Sequence, residues 1–320
     1  MVGILDGPPT YVIENLAELS NDLDNHLPFK KIDKNVMIAS WNIRAFGNLT
    51  RKWESDNTDS PKRDLHSILC ISEIIKRFDV IAVQEVKANI RALRDTMKLL
   101  GSNWSLILTD VTKGSAGNGE RMAYIFDTRR VQLSGLACEL VIPKEWKYGI
   151  DDDAMEDQFV RTPYAVSFKS NETTFILVTV HIKYGKKSID RIGELKAIAR
   201  WMTNWASDIN AYHQNLILLG DFNINERGDL LDKTFLSEGL YVPEQLQKPE
   251  ITRSIFNTSK YYDQIAWFNS SKNIPKLSME FITGGNYDFV PIALKSRNLS
   301  KRKLSFMLSD HYPLWAEFEF

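Results

Sequence analysis

The sequence runs to 320 residues, 43% of them hydrophobic and 25% charged, a composition that excludes a disordered or fibrous chain and allows a sizeable buried core. A net charge of −1 excludes a polycationic nucleic-acid coat, so any polyanion has to be met by local patches and by bound metal.

Residues 8–27 carry Leu16, Leu19, Leu23 and Leu27 at steps of three and four, one apolar stripe on a helix. Residues 1–35 are therefore expected to form a helical extension that packs on the domain or offers a surface to a protein partner. Strand-like runs follow at 36–42, 80–85, 104–109, 121–127, 159–168, 174–181, 215–221, 262–268 and 313–320. Helical periodicity marks 64–78, with Ile68, Ile71, Ile74 and Phe78 on one face, and 188–209, with Ile192, Leu195, Ile198, Met202, Trp205 and Ile209. Many strands, few helices and short strand-to-strand connections favour an α+β fold, a two-sheet and mostly antiparallel β-sandwich flanked by helices, over a doubly wound parallel sheet. Without an internal repeat or low-complexity linker, 36–320 reads as a single domain.

The runs 114–119 and 151–157 read as exposed loops. The basic stretch 295–303, KSRNLSKRK, reads as a loop that is either solvated or in contact with phosphate. Cys70 and Cys138 are too few for a disulfide framework, lack metal-ligand spacing and read as buried thiols. The opening MVGILDGPPT lacks the basic and apolar regions of a signal peptide, and no window reaches the roughly 18 apolar residues of a spanning helix. The expectation is a soluble, cytoplasmic chain with no membrane partner.

Four apolar strand-like runs end in polar residues, Asn42, Gln84 with Glu85, His181, and Asp221 with Asn223, and a fifth is preceded by Asp310 with His311. Singly each reads as a cap or a surface ion pair. Together they imply a shared rim, because strands of one sheet deliver their ends to one edge. Carboxylates, amide oxygens and histidines make a hard donor set that suits Mg²⁺ or Mn²⁺ and not structural zinc. Phosphodiester hydrolysis needs a Lewis acid, a base to activate water and an acid for the leaving oxygen, and two histidines can supply the last two.

The stretches IASWNIRAFG, VIAVQEVK, GERMAYIFD, FVRTPYAVSF, VTVHIKYG, LILLGDFNIN, YYDQIAWF and LSDHYPLWAEF resemble, in order, the endonuclease/exonuclease/phosphatase superfamily, and within it the deoxyribonuclease I-like nucleases. The resemblance implies Glu85 as metal ligand, assisted by Asn42, with Asp310 also serving the metal. It implies Asp221 and Asn223 as orienters of phosphate and attacking water or holders of a second ion, and His181 and His311 as the acid/base pair. Glu120 would orient His181, and Asp263 would orient His311. Arg161 matches an arginine that clamps the scissile phosphate, while Arg44 and Lys87 match positions that touch nucleic acid.

The family's disulfide loop has no counterpart here, and HIKYG after His181 departs from the family's loop. The resemblance thus implies a Mg²⁺- or Mn²⁺-dependent phosphodiesterase with nucleic acid, best DNA, as partner and little sequence preference. The same rim serves relatives acting on lipid, phosphoinositide or RNA phosphoesters. An effector component within a larger assembly, or a silent binding module on the same fold, are the further readings.

Overall fold

The run VMIASW shows no polar alternation because both faces of its strand are covered. Strand β1 (Asn35–Phe46) directs Val36 and Ile38 into one hydrophobic cluster and Met37, Ala39 and Trp41 into another, so an interior strand reads as continuously apolar. The computed structural model describes residues 2–320 except 113–116, 145–157, 209–211, 213–214, 270–273 and 275. Ile209, the run 151–157 and part of the run 114–119 lie outside the described residues, while 117–119 form a turn.

Around β1 lie β2 (Val80–Lys87), β3 (Trp104–Leu108), β4 (Glu120–Asp127), β11 (Glu280–Asn286) and β12 (Leu314–Glu319), in the order β11-β12-β1-β2-β4-β3. The second sheet holds β5 (Gln132–Glu139), β6 (Tyr164–Ser170), β7 (Thr173–His181), β8 (Leu216–Asp221), β9 (Leu240–Tyr241) and β10 (Asp263–Phe268), in the order β5-β6-β7-β8-β10-β9. Among the described strand pairs, only β1–β2 and β7–β8 run parallel. The expected two-sheet, mostly antiparallel arrangement flanked by helices is the one observed.

Polar atoms cross between the sheets. Tyr124 donates from β4 to the carbonyls of Tyr164 and Leu177, and Gln84 Nε2 donates to Thr179 Oγ1 at 2.9 Å. The outer face of the first sheet is covered by α1 (Thr10–His26), α2 (Leu65–Ile75) and α3 (Arg91–Leu100). That of the second is covered by α4 (Ile192–Ser207) and α5 (Leu230–Leu236). In α1, Leu19 and Leu23 are fully buried, so the stripe is used by this chain.

Three strands carry no clear signal in the sequence, for physical reasons. β5 is an edge strand with little burial, β9 has two residues, and β11 carries Gly284 and Gly285. The run 159–168 starts as a strand only at Tyr164, because Pro163 has no N–H for the ladder. The basic stretch is a correction to the loop expectation. Lys295–Arg297 forms a 3₁₀ turn, and Ser300 caps α6 (Lys301–Met307) by accepting from the Lys303 amide. Cys70 is buried as expected, whereas Cys138 is half-buried; both are free thiols. No helix among the described residues is long and apolar enough to cross a membrane.

Candidate active site

The register of the second sheet puts three predicted site residues in one row. His181 at the end of β7 pairs with Asp221 at the end of β8, and Asp221 pairs with Asp263 at the start of β10. Strands about 4.8 Å apart thus bring two carboxylates and a histidine to one edge. Close approach of β7 and β8 depends on Gly220, whose φ is 141° and where a Cβ would overlap the Val180 carbonyl oxygen. On the first sheet, Asn42 lies opposite Gln84, and Lys87 opposite Glu120.

Each histidine is braced across the seam by a carboxylate from the other sheet. His311, just before β12, holds Nδ1 2.7 Å from Asp263 Oδ2. His181 Nδ1 lies 3.2 Å from Glu120 Oε2, an ion-pair distance whose angle falls short of a hydrogen bond. The remaining ring nitrogens face a common atom: Asp221 Oδ2 lies 3.6 Å from His181 Nε2 and 3.9 Å from His311 Nε2. Asn42 Nδ2 donates to the same oxygen at 3.0 Å, and the Asn223 amide donates to Asp221 Oδ1 at 2.9 Å.

The charges follow from this packing. Burial opposes ionisation of Asp221, but His311, His181 and the two asparagine donors hold its carboxyl below the usual carboxylate range. Burial would lower His311, yet Asp263 and Asp221 outweigh it and raise its proton affinity. Burial also works against Glu120, but His181, Arg161 and Lys87 hold it well below the ordinary range. Its Oε2 accepts from Arg161 Nε at 2.6 Å, and its Oε1 from Lys87 at 2.8 Å and Asn118 at 2.7 Å.

For the expected metal ligands, the fit rests on one orphaned atom. Asn42 is 1% exposed, and its Oδ1 has no hydrogen-bond partner, a costly state that a cation relieves. Glu85 stands at a β-bulge with φ 60°, and its Oε2 accepts the Ala45 amide at 2.8 Å. Strained backbone of this kind concentrates at functional sites, and amide and carboxylate oxygens are the donors Mg²⁺ prefers. Asp310 lies 3.7 Å from Arg44 Nη1. Among the described residues, Asp221, Asp263 and His311 also offer ligand atoms within 4.8 Å of one another. Because Asp263 Oδ2 already holds His311, we read that trio as a braced histidine with its counter-charges.

The expected substrate contacts are less open than the sequence suggested. Lys87 and Arg161 are both held by Glu120, so neither is a bare rim cation. Arg44 donates to Ser305 Oγ at 2.8 Å and lies over the Phe306 ring. Arg297 is buried against Asp64, Lys295 faces Glu18, and Lys301 donates to the Ile255 carbonyl. Lys295 and Lys301 are exposed at these contacts, as are Arg302 and Lys303. Arg302 and Lys303 border a cavity of about 880 Å³ whose lining also includes Arg44 and Ala45 but neither histidine.

Two residues of the site went unnoticed in the sequence. Ser309 Oγ donates to the Asn42 carbonyl at 2.5 Å and accepts the amides of Arg44 and His311; its place inside LSDH was the available signal. Arg191 is 3% exposed and donates to the Asn223 carbonyl at 2.6 Å. Nothing local distinguishes it from a surface arginine at a helix start.

Comparison with known proteins gives four matches. A profile of the Endonuclease/Exonuclease/phosphatase family matches residues 39–254. A protein named deoxyribonuclease from Thioalkalivibrio sp. (strain K90mix) is 31% identical over 200 residues, covering 61% of this chain and 48% of its own length. Human deoxyribonuclease gamma is 26% identical over 199 residues, covering 59% and 56%. The aligned part is about half the length of these curated relatives. Among solved structures, a mannosyl-6-phosphatase of Bacteroides thetaiotaomicron superposes with a TM-score of 0.57 at 17% identity, over 89% of this chain and 100% of that one. The last likeness concerns the fold alone.

Proposed function

Because the chain belongs to the endonuclease/exonuclease/phosphatase family, we propose that it is a Mg²⁺- or Mn²⁺-dependent nuclease that hydrolyses DNA phosphodiesters with little sequence preference. The observation that carries the reading is the pair of carboxylate-braced histidines whose Nε2 atoms face one oxygen of Asp221. Relatives named as deoxyribonucleases support DNA as the substrate; the fold hosts other phosphoesters equally well.

Glu85 and Asn42, with Asp310 at the rim, would hold the cation. When bound, it supplies Lewis-acid polarisation of the phosphoryl oxygens. The chain's own residues do the rest. Asp263 and Glu120 fix the orientation of His311 and His181, so that each ring presents Nε2 to the reacting centre. One histidine takes the proton of the attacking water and the other returns a proton to the leaving oxygen. Asp221 and Asn223 position the water and phosphate between them, and Arg161, held by Glu120, adds a positive charge at the same rim.

The test compares supercoiled plasmid, single-stranded DNA, RNA and bis-(p-nitrophenyl) phosphate, each with Mg²⁺, Mn²⁺ or EDTA. Plasmid nicking that needs the metal and stops in EDTA is the expected result. Turnover of the small ester with none on any DNA would refute the nuclease reading and leave the phosphoesterase chemistry in place.

A further inference from the structure

The segment after His181, where the sequence departs from the deoxyribonuclease I pattern, is pinned residue by residue. The Ile182 carbonyl accepts Asn223 Nδ2 at 2.7 Å, and the Lys183 amide donates to Glu194 Oε2 at 2.9 Å. Gly185 has φ 67°, and a Cβ there would lie 2.6 Å from Asp190 Cβ. Asp190 in turn accepts the amides of Lys186 and Lys187 at 2.8 and 3.0 Å. Buried Arg191 donates to the Tyr184 carbonyl at 2.6 Å and, on its other side, to the Asn223 carbonyl. The loop is thereby tied to the strand end that carries Asp221.

The aromatic side chain of this loop stays outside the packing. Tyr184 is 58% exposed, although the Arg191 guanidinium lies 4.3 Å from its ring centroid and covers one face. Its hydroxyl neighbours that of Tyr262, which burial, with Tyr184 and Asp221 adding to it, pushes up to about 12. Tyr262 lies against the His311 ring, with centroids 5.5 Å apart and planes inclined by 33°. Tyr184 therefore neighbours Tyr262, which lies against His311, and its ring is held on one face by a cation while more than half of the residue is exposed. A ring ordered in advance loses little freedom on binding a partner, and an aromatic face beside a phosphate path is how single-strand binders receive bases.

We propose that Tyr184 is a base-stacking platform: the nucleobase beside the scissile phosphate lies on the ring face opposite Arg191, and substrates in which that base is unpaired are preferred. The inference rests on the nuclease reading. A paired base is already stacked on both faces and would have to leave the helix, at a cost of a few kcal/mol, before it could reach the ring.

The experiment uses a single-stranded oligonucleotide with one ordinary phosphodiester among methylphosphonate linkages. The flanking nucleotide, on each side in turn, carries thymine or is a base-free tetrahydrofuran residue. The wild-type protein should favour the thymine substrate by roughly five- to hundredfold in kcat/KM, mostly through KM. Tyr184→Ala should erase that preference, and Tyr184→Phe should keep it. A preference that survives in Tyr184→Ala, or an equal loss on both substrates, overturns the platform. Wild-type cleavage with no base preference removes the platform alone; turnover of small phosphoesters without cleavage of either oligonucleotide removes the nuclease reading and the platform with it.

Discussion

A single oxygen of Asp221 faces both histidine Nε2 atoms and the Asn42 amide, so each histidine ring is flanked by carboxylates on two sides. His181→Ala and His311→Ala should each lose roughly two to four orders of magnitude in single-turnover cleavage, the usual worth of one acid/base group. Asp263→Asn should fall in the same direction by less, since an amide still occupies the space and can accept from Nδ1. Near wild-type turnover in His181→Ala would take that residue out of the mechanism. Gly220 acts at the same scale through the backbone. Gly220→Ala forces β8 away from the Val180 carbonyl and should destabilise the fold by at least about 3 kcal/mol, from strain and overpacking together. A wild-type urea midpoint would show that the strands can part without penalty.

At the scale of elements, α1 is held by more than its leucine stripe. Asn15, 3% exposed, donates Nδ2 to the Ile292 carbonyl at 3.0 Å. Its Oδ1 accepts the Leu294 amide and meets His66 Nε2 on α2, both at 3.1 Å. Asn15→Leu leaves several buried groups without partners and should destabilise by about 3 kcal/mol or more, read from the urea midpoint. Burial pushes His66 down to about 4, with nearby Asp64 opposing and Arg297 reinforcing the shift. An unfolded histidine takes its proton near 6.5, so the folded state binds fewer protons between those values. The stability contribution is complete above pH 6.5, declines as pH falls toward 4 and is constant below, a loss of roughly 3 kcal/mol. His66→Gln cannot titrate, so its stability should vary less over this window; parallel pH curves for the two proteins would contradict the assignment.

For the molecule as a whole, a net charge of −1 leaves little long-range attraction for a polyanion, so the proposed DNA binding would rest on local charge. The sequence left 295–303 as a loop either solvated or in contact with phosphate, and the fold gives three of its five cations partners within the chain. Arg297 goes to Asp64, Lys295 to Glu18 and Lys301 to a carbonyl, which leaves Arg302 and Lys303 beside the cavity that adjoins Ala45. Binding of a duplex oligonucleotide, followed by fluorescence anisotropy in EDTA, should weaken steeply with salt. The double variant Arg302→Ala with Lys303→Ala should reduce the log–log slope by about two, one for each phosphate that is no longer neutralised. An unchanged slope would place the cavity off the DNA path.

What the chain alone determined is the material of the sandwich and of its rim. Apolar runs such as VMIASW and LILLG read as strands, and the polar residues that end such runs, Asn42, His181 and Asp221 among them, read together as a shared rim. Local pattern carries that information because burial and strand period are local properties. Which side chains meet is not a local property. The row His181, Asp221, Asp263 is a matter of register, and the pairing of Glu120 with His181 and of Asp263 with His311 is a matter of how two sheets face each other. The same holds for the cations. Lys87 and Arg161 look like rim charges in sequence and become the clamp on Glu120 only when β2, β4 and the approach to β6 are packed together, because a charge finds its partner in space and not along the chain.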